Sequence, residues 1–285
     1  MKTLFKFSFE PISNSSYTSL PAVKKVEIFA RKHLKITLFI LILASFSGFS
    51  QGAKKLVWEE NFDGYALNTT NWNYTTGDGC PDLCGFGNNE RQIYEEENIT
   101  VKDGNLVIAA VKVGDAYYSG KIDTKDKREF KYGTFEVRAK VPGGQGIWPA
   151  IWMLGTTIDE KGWPSCGEID IMEFVGRQPD TVHTTLHSPA NHGATASTQV
   201  TPVKNITEAY HVFKIDWDES AITFSIDGKK VFIYAPKEKN DNNYPFRHPF
   251  YFLLNMAVGG NFGGPEVDDS IFPRTFYIDY IKVYQ

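Results

Sequence analysis

The 285-residue chain is poor in several things at once, and each shortage removes a class of explanation. It has 3 cysteines, of which Cys80 and Cys84 stand four apart in a Gly/Pro/Asp-rich stretch and Cys166 stands alone. A zinc half-site of the form C-x3-C has no second half here, whereas an exported protein would join Cys80 to Cys84 in a small disulfide. Basic charge is also scarce. The first 50 residues hold seven Lys or Arg and two acids, so residues 51–285 keep 23 basic residues (30 less 7) against 32 acidic (34 less 2), a net charge of −9. That balance excludes nucleic acid and anionic membrane surfaces as partners, because their affinity comes from basic patches. A neutral polymer is compatible with it. Helical periodicity is nearly missing from Lys54 onward, and no internal repeat or Pro/Ser linker divides the chain.

One apolar run does occur, Ile36 to Phe49, preceded by Arg31, Lys32 and Lys35 and followed by Ser50. At about 14 residues it is short for roughly 30 Å of hydrocarbon and has the form of a secretory signal. Residues 1–50 therefore read as a lead and signal peptide, with Gln51 as the first mature residue, an extracytoplasmic location and no stable membrane anchor. Residues 51–285 read as one catalytic domain.

Within that domain, short stretches rich in Val, Ile, Phe, Tyr and Trp alternate with Gly, Pro, Asn and Asp. Strands are expected at Leu56–Glu60, 106–113, 134–140, 150–154, 168–174, His211–Trp217, Ile222–Ile226, 230–234, 250–257 and 275–284, with Asp227-Gly228 as a two-residue hairpin turn. This spacing predicts an all-β fold, a β-sandwich of jelly-roll kind with a concave substrate cleft.

The chemistry concentrates in Gly167-Glu168-Ile169-Asp170-Ile171-Met172-Glu173-Phe174. Alternation along a strand puts Glu168 and Asp170 on one face and Ile169 and Ile171 on the other. Glu173, at an odd offset from Glu168, would then enter the core, where an unpaired carboxylate is costly. A β-bulge near Ile171 or Met172 resolves the conflict by returning Glu173 to the acidic face. Three carboxylates gathered there hold a proton more readily than an isolated acid, which is how acid/base pairs are prepared. Leaning together, Glu168 and Glu173 approach the roughly 5 Å of a retaining glycosidase. A solvated acidic strand or a calcium loop is the plainer reading, but the neighbours are apolar and aromatic.

The run Trp163-Pro164-Ser165-Cys166-Gly167-Glu168-Ile169-Asp170-Ile171-Met172-Glu173 resembles the active-site signature of glycoside hydrolase family 16, in the bulged form of laminarinases. In the family's order follow Gly87-Asn88-Asn89-Glu90, Gly146 to Leu154, Thr185-Leu186-His187, Asn255 to Asn261 and Tyr277 to Tyr284. The resemblance implies an endo-acting β-1,3-glucanase with Glu168 as nucleophile, Glu173 as acid/base and Asp170 as assisting carboxylate. It also implies a substrate-binding set of Asn89, Glu90, Trp148, Trp152, Trp163, His187 and Asn255. His187 would hydrogen-bond Asp170 or Glu173, while Trp58, Trp72 and Trp217 are expected in the core. The expected partner is a β-glucan, with mixed 1,3;1,4-linkage as a secondary substrate and a monomer as the working unit. No catalytic cofactor is expected; a structural calcium would be held by Glu60, the Gly104 carbonyl and Asp279. Where laminarinases often read Gly-Gly-Asn-Trp-Pro-Gly, this chain has Gly260-Asn261-Phe262-Gly263-Gly264-Pro265 after Gly259, which keeps an aromatic ring. The alternatives are hydrolysis of agar or carrageenan, which would call for basic residues at sulfate subsites, and a non-catalytic jelly-roll lectin, which would not need the carboxylates.

Overall fold

The computed structural model describes residues 54–285, so the lead, the signal peptide and the Gln51 cleavage point lie outside the described residues. Two sheets pack face to face, their strands paired antiparallel except that Gln92–Tyr94 runs parallel to Ala116–Ser119. The outer sheet has ten strands and runs, in order, Lys229–Tyr234, Ile222–Ile226, His211–Trp217, Gly133–Lys140, Arg274–Tyr284, Asn105–Val113, Ala116–Ser119 and Gln92–Tyr94, with Leu56–Glu60 and Ile99–Lys102 paired beside this path. The inner sheet has eight and runs Ser197–Pro202, Thr181–His187, Glu168–Glu173, Ile147–Gly155, Phe250–Val258, Lys121–Asp123 and Asn73–Thr75, with Glu129–Phe130 beside it. This is the expected jelly-roll sandwich. Among the described residues no helix is long and apolar enough to cross a membrane.

Period-2 alternation builds the interface between the sheets. In Gly133–Lys140 and His211–Trp217 every second side chain is buried, and these meet Ile151, Met153, Ile169 and Ile171 from the inner sheet in one apolar cluster. Burying such side chains contributes about 1.5–3 kcal/mol each before conformational entropy is charged against it. Trp72 and Trp217 are fully buried, and Trp58 packs half-buried on the same cluster against Trp72.

The structure also contains strands absent from the sequence expectation, most of them two to four residues long, such as Gln92–Tyr94 and Lys121–Asp123. Ile99–Lys102 joins Asn105–Val113 through Asp103-Gly104, which have φ of 51° and 71° and close a two-residue turn. Asp227-Gly228 does the same between Ile226 and Lys229, with φ of 49° and 76°. Both are the positive-φ pairs that match strand twist.

Candidate active site

The acidic strand sits third in the inner sheet, between Ile147–Gly155 and Thr181–His187. Gly167 leads into it at φ +75°, and a Cβ there would press within 3.1 Å of Phe250 and Pro245, so only glycine makes this entry without strain. The bulge is present. On one side Met172 opposes Ile151 and Asp170 opposes Trp152; on the other, Glu173 opposes His183 and Asp170 opposes Thr185. Both registers slip between Asp170 and Glu173, so Ile171 and Met172 both point into the core, at 1% and 0% exposure, and Glu173 returns to the side of Glu168 and Asp170.

Each carboxyl group has its own partners. Trp163 Nε1 donates to Glu168 Oε2 at 2.7 Å. Trp148 Nε1 donates to Glu173 Oε1 at 3.2 Å, and the Thr185 hydroxyl donates to Glu173 Oε2 at 3.3 Å. His187 Nε2 lies 3.3 Å from Asp170 Oδ2 and 3.7 Å from Glu168 Oε1. Of the two carboxylates expected to bond His187, Asp170 is the one within ion-pair distance, but the contact is not a hydrogen bond: Asp170 Oδ2 is buried without a hydrogen-bond partner among the described residues. The backbone N–H of Gly193 donates to His187 Nδ1 at 3.1 Å, which leaves the proton of a neutral ring on Nε2, facing the carboxylates. Glu168, Asp170 and His187 place ligand atoms within 4.8 Å of one another, but an imidazole whose inward nitrogen carries a proton is a donor there and not a metal ligand.

Burial is the main electrostatic fact of the site. It pushes Glu168 up to about 8, helped by the Asp170 charge and opposed by His187 and by the Trp163 N–H. It raises Asp170 to about 7 against a hydrogen bond from Glu168. Glu173 goes well above the ordinary carboxylate range, through burial first and the Asp170 charge second, with His187 and the Trp148 N–H working the other way. At neutral pH the three groups together therefore retain protons, one of them in the Glu168–Asp170 hydrogen bond.

A second network extends from Trp152, whose Nε1 donates to Asn255 Oδ1 at 2.8 Å. Asn255 Nδ2 donates to the Tyr94 hydroxyl at 3.0 Å, and that hydroxyl donates to Glu90 Oε2 at 3.3 Å. Gln92 and Asn88 also donate to Glu90, at 2.7 and 3.2 Å. Three expected residues thus belong to one chain of bonds, and Tyr94 and Gln92, which the sequence did not single out, complete it. Asn89 stands apart: at φ 56° it donates to Asn261 Oδ1 at 2.8 Å and ties its loop to the one that carries Phe262. The Phe262 ring meets Trp148 edge-on at 5.4 Å and His183 at 4.9 Å, so the departure from the Trp-Pro-Gly pattern still supplies a ring against the aromatic wall.

The proposed calcium ligands lie near one another in the sheet register but are already engaged. Glu60 opposes Ile281, two residues beyond Asp279, and Gly104 turns into the strand whose Leu106 opposes Ile278. The Glu60 carboxylate accepts from the Phe62 N–H, Asn71 Nδ2 and Trp72 Nε1, while Asp279 is ion-paired with Arg138. Oxygen donors of the right type are present, but a cation would have to displace Arg138.

The sequence model of glycosyl hydrolases family 16 matches residues 86–281, which spans the acidic strand, both networks and most of the closing strand. The chain belongs to glycosyl hydrolase family 16. Among solved structures of the family, the laminarinase from Flavobacterium sp. UMI-01 superposes with a TM-score of 0.80 at 53% identity, over 81% of this chain and 100% of that one. Among family sequences, the glucan endo-1,3-beta-glucosidase A1 of Niallia circulans is 38% identical over 81% of this chain, and the match spans 38% of its own length. The beta-glucanase of Rhodothermus marinus is 34% identical over 94% of this chain and 98% of its own.

Proposed function

We propose that this family 16 chain is a retaining, endo-acting hydrolase of β-1,3-glucan, with mixed 1,3;1,4-linked glucan as a secondary substrate. The observation that carries the reading is the bulge, which gathers Glu168, Asp170 and Glu173 on the cleft face under two tryptophan N–H donors. The names of the relatives, endo-1,3-beta-glucosidase and laminarinase, support the linkage.

In this mechanism Glu173 is the general acid, a role that suits a carboxyl group whose burial keeps it protonated. Its proton passes to the glycosidic oxygen as the bond to the anomeric carbon breaks. Glu168 attacks that carbon and forms a glycosyl-enzyme. For this step the proton shared by Glu168 and Asp170 must rest on Asp170, leaving Glu168 charged against the Trp163 N–H and His187. Glu173, now ionised, takes a proton from water, and the hydroxide releases the sugar with its β configuration retained. Trp148, Trp152 and Trp163 present the ring faces on which sugar C–H faces stack, and Asn89, Glu90, His187 and Asn255 select hydroxyl positions. No step in this scheme calls for a cofactor. A calcium at Glu60, Gly104 and Asp279 would be structural, tying the first and last strands together, and export and a monomeric state complete the proposal.

The test is mutational. Glu168→Ser and Glu173→Ala should each abolish hydrolysis of laminarin while keeping the fold and glucan binding, since the carboxylates break the bond and the aromatic rings hold the chain. Near-normal activity in either variant would refute the assignment.

A further inference from the structure

One end of the outer sheet carries a cavity that the reaction does not use. Its volume is about 360 Å³, and it is lined by Pro142, Gly143, Thr207, Pro273, Arg274 and Thr275. Arg274 opens the strand Arg274–Tyr284 opposite Ala110 in the outer sheet, whereas the acidic strand belongs to the inner sheet. None of the residues assigned to catalysis or to glucan binding lines this cavity.

Two adjacent glycines let its walls approach. A Cβ at Gly143 would lie 3.3 Å from Thr207 Cγ2, and one at Gly144, where φ is +125°, would lie 3.4 Å from Arg274 Nε and 2.5 Å from Ile271 Cδ1. Arg274 Nε therefore rests near backbone that carries no side chain, and it is buried without a hydrogen-bond partner. Among the described residues the Arg274 guanidinium makes no ion pair, and neither the Thr207 nor the Thr275 hydroxyl makes a hydrogen bond. Asp268 is held ionised first by the Ser270 hydroxyl and N–H and last by Arg274, and its Oδ1 accepts from Ser270. A guanidinium has five N–H donors and no acceptor, and each hydroxyl adds a donor. Donors left without an acceptor in a protected place are costly, and the cavity has no acid in its lining to take them up.

The charge and the volume together define the missing acceptor. One cation, in a domain of net charge −9, suits a single negative charge, and a guanidinium fork pairs a carboxylate through two parallel bonds. A carboxylate alone would leave most of the cavity empty, since its volume is that of a small-molecule pocket. We infer that Arg274, Thr207 and Thr275 form a second carbohydrate site, outside the cleft, for a uronic acid unit. The guanidinium takes the carboxylate, the two threonines bond ring hydroxyls, and Pro142 and Pro273 bound the ring. Such a site holds the chain to a carboxylated polysaccharide while the cleft stays free for neutral glucan.

The experiment titrates sodium glucuronate, glucose and inorganic sulfate separately into the wild-type protein and follows backbone amide shifts by NMR. Glucuronate should shift the amides of Gly143, Thr207 and Thr275, and its binding should weaken with added salt. Glucose and sulfate should each bind at least about tenfold more weakly than glucuronate, and Arg274→Gln should raise the glucuronate Kd at least about tenfold for loss of a hydrogen bond to a charged group. Laminarin hydrolysis by Arg274→Gln should equal wild type, because the cavity lies outside the cleft. The inference would be overturned by glucuronate that leaves those three wild-type amides unmoved, or by a Kd unchanged in Arg274→Gln. Sulfate binding as tightly as glucuronate would also overturn it, since that marks an anion pocket with no place for a sugar. None of these results bears on the β-1,3-glucan reading, which laminarin hydrolysis tests separately.

Discussion

Replacing Trp148 by Phe removes one N–H from the site while keeping an aromatic ring in the wall beside Phe262. That N–H reaches Glu173 Oε1 at 3.2 Å and favours the ionised carboxylate. A hydrogen bond to a charged group is worth about 1.5–3 kcal/mol net, and a bond this long belongs at the lower end. Losing about 1.5 kcal/mol from the charged form alone lowers the ionisation constant of Glu173 about tenfold. The general acid must be protonated to work, so the alkaline limb of kcat/KM against pH reports this ionisation in the free enzyme. The limb should therefore move to higher pH in Trp148→Phe. The assay is initial-rate hydrolysis of laminarin across pH at substrate well below KM, with melting curves to confirm the fold. An alkaline limb that stays in place, or moves to lower pH, would refute both the direction of the Trp148 bond and the assignment of Glu173 as the acid.

Three further outcomes follow from named contacts. Glu168 is raised to about 8 in the folded state from the 4.5 of a free glutamate, so its contribution to stability is full below about 4.5 and lost as pH climbs toward 8; Glu168→Gln should gain Tm over wild type at pH 8, with the gain shrinking toward pH 4. Asn255→Leu would strand the Trp152 N–H and remove a donor from the Tyr94 hydroxyl, which costs about 2–6 kcal/mol in all and should lower Tm in calorimetry by at least about 4 °C. If calcium binds at Glu60, Gly104 and Asp279, a concentration one hundred times Kd should stabilise the fold by about 2.7 kcal/mol over a chelator control, and an unchanged Tm would leave Arg138 as the permanent partner of Asp279.

The parts of the site that could be read in advance were those where one strand carried its own contradiction. Glu173 had the wrong parity for the cleft face, a buried lone carboxylate was unacceptable, and a bulge at Ile171 or Met172 was the remaining solution; the register shows both residues in the core. The long strands were legible for a related reason, since eight or nine residues carry enough alternation to declare a buried face. Tyr94, Gln92 and Lys121 were not legible. They lie on strands of three residues, too short to show any period; Gln92 and Tyr94 reach Glu90 locally, but only sheet order brings Tyr94 to Asn255 and Lys121 to Trp152. Phe86, whose ring rests 5.0 Å from Tyr94, was hidden for a different reason: its position depends on a loop at positive φ closed by a disulfide, and the spacing of Cys80 and Cys84 suggested the bond but not where the loop places this ring. Asp103-Gly104 was legible and overlooked, being the same turn pair as Asp227-Gly228.

The central claim is that the bulge brings Glu168 and Glu173 close enough for direct attack on the sugar, with no room for a water between nucleophile and anomeric carbon. Proton NMR of the first products of laminarin hydrolysis, recorded before mutarotation, tests this directly. Retention through a glycosyl-enzyme predicts that the β-anomer appears first, with transglycosylated oligosaccharides at high substrate concentration. An initial α-anomer would mean inversion, a carboxylate separation of roughly 6.5–9.5 Å, and the wrong roles for both glutamates.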